Sequence, residues 1–330
     1  MRPHMPTAAA NETNPGVTAR RRFAHVVGSS AASALALTTM LVTPAPAHAA
    51  FPGANGRIVF DTIWKYWDGV DASQIYSVRP DGGGLHQLTH MEPGSAAWHP
   101  AVSPSARRIA YVVSSGDAND QIWIMRSDGS HQRPVVEGNA WSNTSPSFTA
   151  SGRRLLFTRC GTYVAIYWTC KIDSVRLDGS GRRTVIGGTW HPFDPAMSPD
   201  GSTIAYVSDA GGYDSRLWLA DADGGHRRVV GPKRILMERP SWSPDGKRLV
   251  FTDGRFVKLY TMRVDGTGLH AIASNAIFGA WSPDGTRIVS LHAPDSGAGP
   301  LQVTRTDGHD PTGIVKGSRR AGYSDWGVRR

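Results

Sequence analysis

Six Asp-Gly pairs punctuate this chain at intervals of 42 to 50 residues, each placed six positions after an aliphatic residue. They are Asp81-Gly82, Asp128-Gly129, Asp178-Gly179, Asp223-Gly224, Asp265-Gly266 and Asp307-Gly308, led by Ile75, Ile122, Ile172, Leu217, Leu259 and Leu301. A unit of this length, made of short strands and tight turns, cannot bury both its faces alone and must stack on copies of itself. Such a beat is the signature of propeller blades.

The fifth unit reads most plainly. Pro240 to Phe251 holds a strand, a Ser-Pro-Asp-Gly turn and a second strand. Proline presets φ at the second turn position, and glycine at the fourth takes the left-handed conformation that rejoins the strands. A third strand over Val257–Val264 then leads into Asp265-Gly266, and a short strand around Leu269–Ile272 returns from it. The first turn recurs at Ser198–Gly201 and Ser282–Gly285, and in degraded form at Gly53–Gly56, Ser103–Ala106 and Thr149–Gly152. The second strand is solidly apolar at Ile58–Phe60, Ile109–Tyr111, Leu155–Phe157 and Ile204–Tyr206, as expected of a strand covered on both faces. Ile288–Ser290 departs, so the last blade is expected to be looser.

The ends predict a closed ring. The repeat region opens on a second strand, Arg57–Asp61, and the missing first strand appears at Tyr323–Trp326. The expected fold is all-β: a six-bladed β-propeller of four-stranded antiparallel blades over residues 50–330, closed by a C-terminal strand completing the first blade.

These residues carry a resemblance. Pro-x-Trp-Ser-Pro-Asp-Gly, then Lys/Arg-x-Ile-Ala-Phe, then Ile-Tyr-x-Met-x-x-Asp-Gly is similar to the TolB-type, WD-like propeller repeat over residues 51–328. The resemblance implies a propeller-only protein, without the N-terminal domain of TolB. The family includes periplasmic partner-binding proteins, non-catalytic domains of prolyl peptidases, and sugar lyases that use a His-held metal.

Residues 1–49 read as an export signal. Arg20-Arg21-Arg22-Phe23 precedes a weakly apolar run from Ala24 to Val42 and a small-residue site before Ala50. The paired arginines resemble the twin-arginine type. The mature chain is therefore expected to be secreted or in the cell envelope or periplasm, with no membrane span. Its arginines are spread through every blade with no basic run, so a solvated, mildly cationic surface is expected and nucleic acid is not. The two cysteines, Cys160 and Cys170, flank one loop of this exported chain and are expected to form a disulfide.

Function is sought on the connections between strands two and three and between blades, because these are long and aromatic-rich. Trp64, Tyr66, Trp67, Trp98, Trp141, Trp168 and Trp190 form the candidate platform for a peptide segment or sugar chain. The competing reading has about half of such aromatics packed under their own loops. At the tunnel mouth, the residues just before each inner strand are His99, Ser145, Asp194, Arg239, Phe278 and Tyr323, with His191 beside Asp194. This ring suits an anion or a metal, although single His and Asp residues on separate blades are a weak metal signal. No Gly-x-Ser-x-Gly, His-Glu-x-x-His or phosphate-loop motif is present. The expectation is a monomeric, non-catalytic binding or scaffold propeller for a protein or peptide partner, with no cofactor. The alternative is a polysaccharide-binding protein or a sugar lyase or hydrolase working at the tunnel mouth.

Overall fold

The computed structural model describes residues 51–329 except 63–72, 116–117, 139, 162–168, 189–190, 210–214, 233–236, 294–298 and 316–320. Six four-stranded antiparallel sheets follow one another. Blade 1 pairs the C-terminal strand Ala321–Val328 with Asn55–Thr62, then Ile75–Val78 and His86–Gln87. Blade 2 runs Ser95–Val102, Arg108–Ser115, Ala118–Arg126 and Arg133–Val136, and blade 3 runs Trp141–Phe148, Arg154–Gly161, Cys170–Arg176 and Arg183–Ile186. Blades 4, 5 and 6 begin at Pro192–Met197, Met237–Trp242 and Ala276–Trp281. In every blade the strand order is sequential outward from these first strands. No helix among the described residues is long and apolar enough to cross a membrane.

Burial explains the apolar second strands. Ile58, Phe60, Ile109, Tyr111, Leu155 and Phe251 are fully buried, because each sheet is covered by a blade on either side. Their aromatic residues face aromatics on the third strand, as in the stacked pairs Phe60–Tyr76, Tyr206–Trp218 and Phe251–Tyr260. Blade 6 replaces that pair with Ser290 opposite Gln302, and Gln302 Nε2 donates to Ser290 Oγ at 3.2 Å within a buried setting. Blade 3 replaces it with Phe157 opposite Asp173; Arg159 Nε meets Asp173 Oδ2 at 2.6 Å and Thr184 Oγ1 donates to Asp173 Oδ1 at 2.8 Å. The expected disulfide joins Cys160 to Cys170, which are directly opposed on neighbouring strands.

The inner strands begin earlier than the sequence suggests. A register shift interrupts each one, for example between Trp98 and Ala101 and between Glu238 and Ser241. The residues expected just before the strands therefore sit within them, at the bulge.

The even spread of arginine along the chain becomes a cluster in space. Arg108 faces Arg126, Arg154 faces Arg176, Arg248 faces Arg263 and Arg287 faces Arg305, each pair at the Asp-Gly end of its blade. Arg57 and Arg79 flank the paired Ile58 and Val78 in the same way. A repeat puts equivalent positions on one rim, so residues 42 to 50 apart in sequence become neighbours around a ring.

Candidate functional site

All six inner strands line one central cavity of about 120 Å³. Its mouth is set by the bulges. His99, Ser145, Asp194, Arg239 and Phe278 all take φ between 49° and 58°, a left-handed conformation that costs a non-glycine residue roughly 1 kcal/mol or more. Four of them precede proline, which adds to the restriction. The bulge re-aims each side chain so that six blades present their side chains to one another. Alternate blades cap the strained amides. Asp61 Oδ2 accepts the His99 N–H at 2.8 Å, Thr158 Oγ1 that of Asp194 at 3.0 Å, and Thr252 Oγ1 that of Phe278 at 2.8 Å.

The six side chains form a nearly continuous circuit. Ser145 donates to Asp194 Oδ1 at 2.6 Å, and Asp194 Oδ2 lies 3.9 Å from Arg239 Nε. The Arg239 guanidinium lies over Tyr323, 3.6 Å from the ring centre, and 5.6 Å from that of Phe278. Phe278 packs on Tyr323, and Tyr323 meets His99 edge to face with centres 3.8 Å apart. Arg239 also crosses the ring: its Nη2 reaches the nitrogen edge of His99 on the opposite blade, 2.9 Å from Nδ1 and closer to Nε2. The tunnel is thereby bridged by one guanidinium.

Burial governs the protonation of this cluster. It holds the His99 imidazole well below its ordinary pKa, helped by the Arg239 charge, so the ring is neutral and accepts from the guanidinium. Burial also lifts the Asp61 carboxyl to about 7, against the opposing pull of the His99 amide and Arg239. Glu238 is raised by burial and then by the charge of Asp194, and the Tyr323 hydroxyl is raised by burial. Asp61 Oδ1 is buried and has no hydrogen-bond partner. Among the described residues no group of three His, Cys, Asp or Glu side chains comes together as a metal site.

The candidate residues divide accordingly. His99, Ser145, Asp194, Arg239 and Tyr323 are brought together with Phe278, and Asp61 is an added member that sequence reading missed. Only its place at the end of an apolar second strand, where Thr158 and Thr252 also stand, signals it. His191 lies one residue ahead of the strand Pro192–Met197, with φ of 37°. Trp98 and Trp141 are strand residues rather than loop residues. The Trp98 indole donates to Ser114 Oγ at 2.8 Å and packs on His99. Trp141 covers Gly161 across the sheet, with Arg159 4.4 Å from its ring centre. Trp64, Tyr66, Trp67, Trp168 and Trp190 lie outside the described residues.

Residues 165–315 match the TolB beta propeller domain family. An uncharacterized protein of Agrobacterium fabrum is 27% identical over 189 residues, which are 54% of this chain and 61% of that protein. A protein TolB homolog of Chlorobium luteolum is 29% identical over 200 residues, 59% of this chain and 43% of that protein. The chain thus spans less than two thirds of the length of these curated relatives. Among solved structures, TolB from Acinetobacter baumannii superposes with a TM-score of 0.69 at 18% identity, covering 83% of this chain and 67% of that one. An oligogalacturonate lyase from Vibrio parahaemolyticus superposes with a TM-score of 0.52 at 14% identity, covering 83% and 79%. At such identities the likeness is one of fold.

Proposed function

We propose that this chain of TolB-type propeller repeats is an exported, non-catalytic binding module that holds a protein or peptide partner on the rim around its tunnel mouth. The observation that carries this reading is the Arg239 bridge. Its contacts with Tyr323, His99 and Asp194 tie blades on opposite sides of the tunnel into one rigid hub. Partner recognition is assigned to Trp64, Tyr66, Trp67, Trp168 and Trp190 on sequence grounds, as an aromatic-rich set suited to recognition. The leader-like residues 1–49 support export. A sugar-lyase reading would require His99 to meet substrate or metal, and that ring is 6% exposed with its nitrogens against Arg239.

The test is capture from envelope extracts by the wild type and by a Trp67→Ala/Trp168→Ala variant. The variant is expected to lose captured partner at least tenfold at an unchanged melting temperature. Normal capture with early melting would overturn the proposal, as would stoichiometric manganese or zinc together with glycan cleavage.

A further inference from the structure

The rim of Asp-Gly turns, opposite the tunnel mouth, has features that partner binding does not use. Facing like charges on neighbouring strands cost stability, yet four blades set two arginines face to face there, and blade 1 brings Arg57 within the field of Arg79. The turn itself does not demand them, since blade 4 makes the same turn with Thr203 opposite Asp221. The turn aspartates accept from their own loops and offset only part of the arginine charge, Asp81 lying 3.6 Å from Arg79 and Asp307 3.2 Å from Arg305. Asp128, Asp178 and Asp265 accept the amides of Ser130, Ser180 and Thr267 at 2.8 to 2.9 Å. Arg108, Arg126, Arg248 and Arg263 are all exposed on this rim.

Two further observations select the partner. Of three exposed large apolar side chains among the described residues, Leu85 (38%) and Leu269 (39%) stand on this rim, in the turns that follow Arg79 and Arg263. Between blades 1 and 2 the rim also opens into a cavity of about 620 Å³, with Val59, Val102 and Ile109 in its lining and Arg57, Arg79 and Arg329 among its polar residues. Apolar side chains set among guanidinium groups suit an amphiphile better than a bare polyanion. Arginines grouped on five of the six blades, joined by short turns among the described residues, match a plane. A polymer strand would ask for a stripe or groove.

We propose that the Asp-Gly rim docks on an anionic lipid bilayer, with its arginine pairs on phosphate headgroups and Leu85 and Leu269 at the acyl boundary. Docked in this way, the protein presents its tunnel mouth away from the membrane.

Co-sedimentation of the full chain with vesicles tests this, comparing phosphatidylcholine alone with a mixture containing about 30% phosphatidylglycerol in about 0.1 M salt. The wild type is expected on the anionic vesicles and to be released as salt is raised. The quadruple variant Arg108→Gln/Arg126→Gln/Arg248→Gln/Arg263→Gln should bind at least about a hundredfold more weakly, each charge near such a surface being worth roughly fivefold. Its melting temperature should stay level or rise, because repulsive pairs are removed. Leu85→Ser/Leu269→Ser should weaken binding about tenfold at unchanged charge. All these proteins share the same first fifty residues, so differences between them belong to the rim. Equal sedimentation on neutral vesicles, or equal anionic binding by the quadruple variant, would overturn the proposal. So would tight binding to soluble heparin with no loss in the leucine variant, which would point to a polymer instead.

Discussion

Arg239 and Asp61 show how much one position can ask of its neighbours. Arg239 stands within reach of the charges on Asp194 and Asp61, and its guanidinium also sits over the Tyr323 ring. Arg239→Met keeps the apolar stem and removes the charge and the stacking, so both acids lose their cation. A loss of roughly 2–3 kcal/mol is expected in chemical denaturation. Asp61 makes the opposite contribution. Its folded pKa of about 7 lies above that of an unfolded aspartate, so between about pH 4 and 7 the native state holds a proton that the unfolded chain has released. Its contribution is therefore intact at low pH and is lost as pH rises through 7. Asp61→Asn keeps an oxygen for the His99 amide and cannot ionise. The stability difference between variant and wild type should shift in the variant's favour from pH 4 to pH 8, by no more than about 4 kcal/mol. A difference independent of pH would show that Asp61 is solvated.

The strands and turns were the most legible elements, and the reason is local chemistry. Ser-Pro-Asp-Gly and Asp-Gly fix their own dihedrals, so each is readable within four residues, as at Ser243–Gly246, where Gly246 N–H returns to Ser243 at 2.9 Å. The bulge at His99-Pro100 was not legible, because a left-handed residue before proline runs against local preference and is imposed by the neighbouring strand. The arginine rim was hidden for a different reason: each pair meets only when the second and third strands of its blade align, and the pairs gather on one rim only when the blades stack. Blade 3 makes its exception to the aromatic pairing with a buried ion pair and a disulfide. Asp173→Ala strands Arg159, whose side chain is 14% exposed, and should cost about 2–4 kcal/mol in urea unfolding. Cys160→Ser/Cys170→Ser releases a short loop and should cost about 2–3 kcal/mol, an effect that reductant should reproduce in the wild type. If reductant leaves the wild-type midpoint unmoved, the bridge contributes nothing to the blade.

At the scale of the whole molecule, stability depends on a strand drawn from the far end of the chain. Ala321–Val328 supplies the inner strand of blade 1, where Trp326 is 1% exposed and pairs opposite Ile58. The same strand joins both neighbouring blades. Asp325 Oδ2 accepts the Val102 N–H of blade 2 at 2.6 Å, and Tyr323 packs on Phe278 of blade 6. On the other side of the seam, Asn55 Nδ2 donates to Asp284 Oδ2 at 2.9 Å. Removing the chain after Gly322 therefore opens an apolar slot, leaves one edge of Asn55–Thr62 unpaired and withdraws Tyr323 from under Arg239. Because every blade leans on two others, the damage cannot stay in blade 1. The truncated chain is expected to lose its cooperative thermal transition or to melt at least about 10 °C lower, several kcal/mol of buried tryptophan and strand pairing being gone. A synthetic peptide of residues 321–329 supplied in trans should restore much of that loss, since the slot it fills is defined by the remaining blades. An unchanged transition in the truncated chain would mean that the ring is held shut by something other than this strand. Rescue by the peptide but not by its Trp326→Ala form would place the closure energy on that one side chain and its seat.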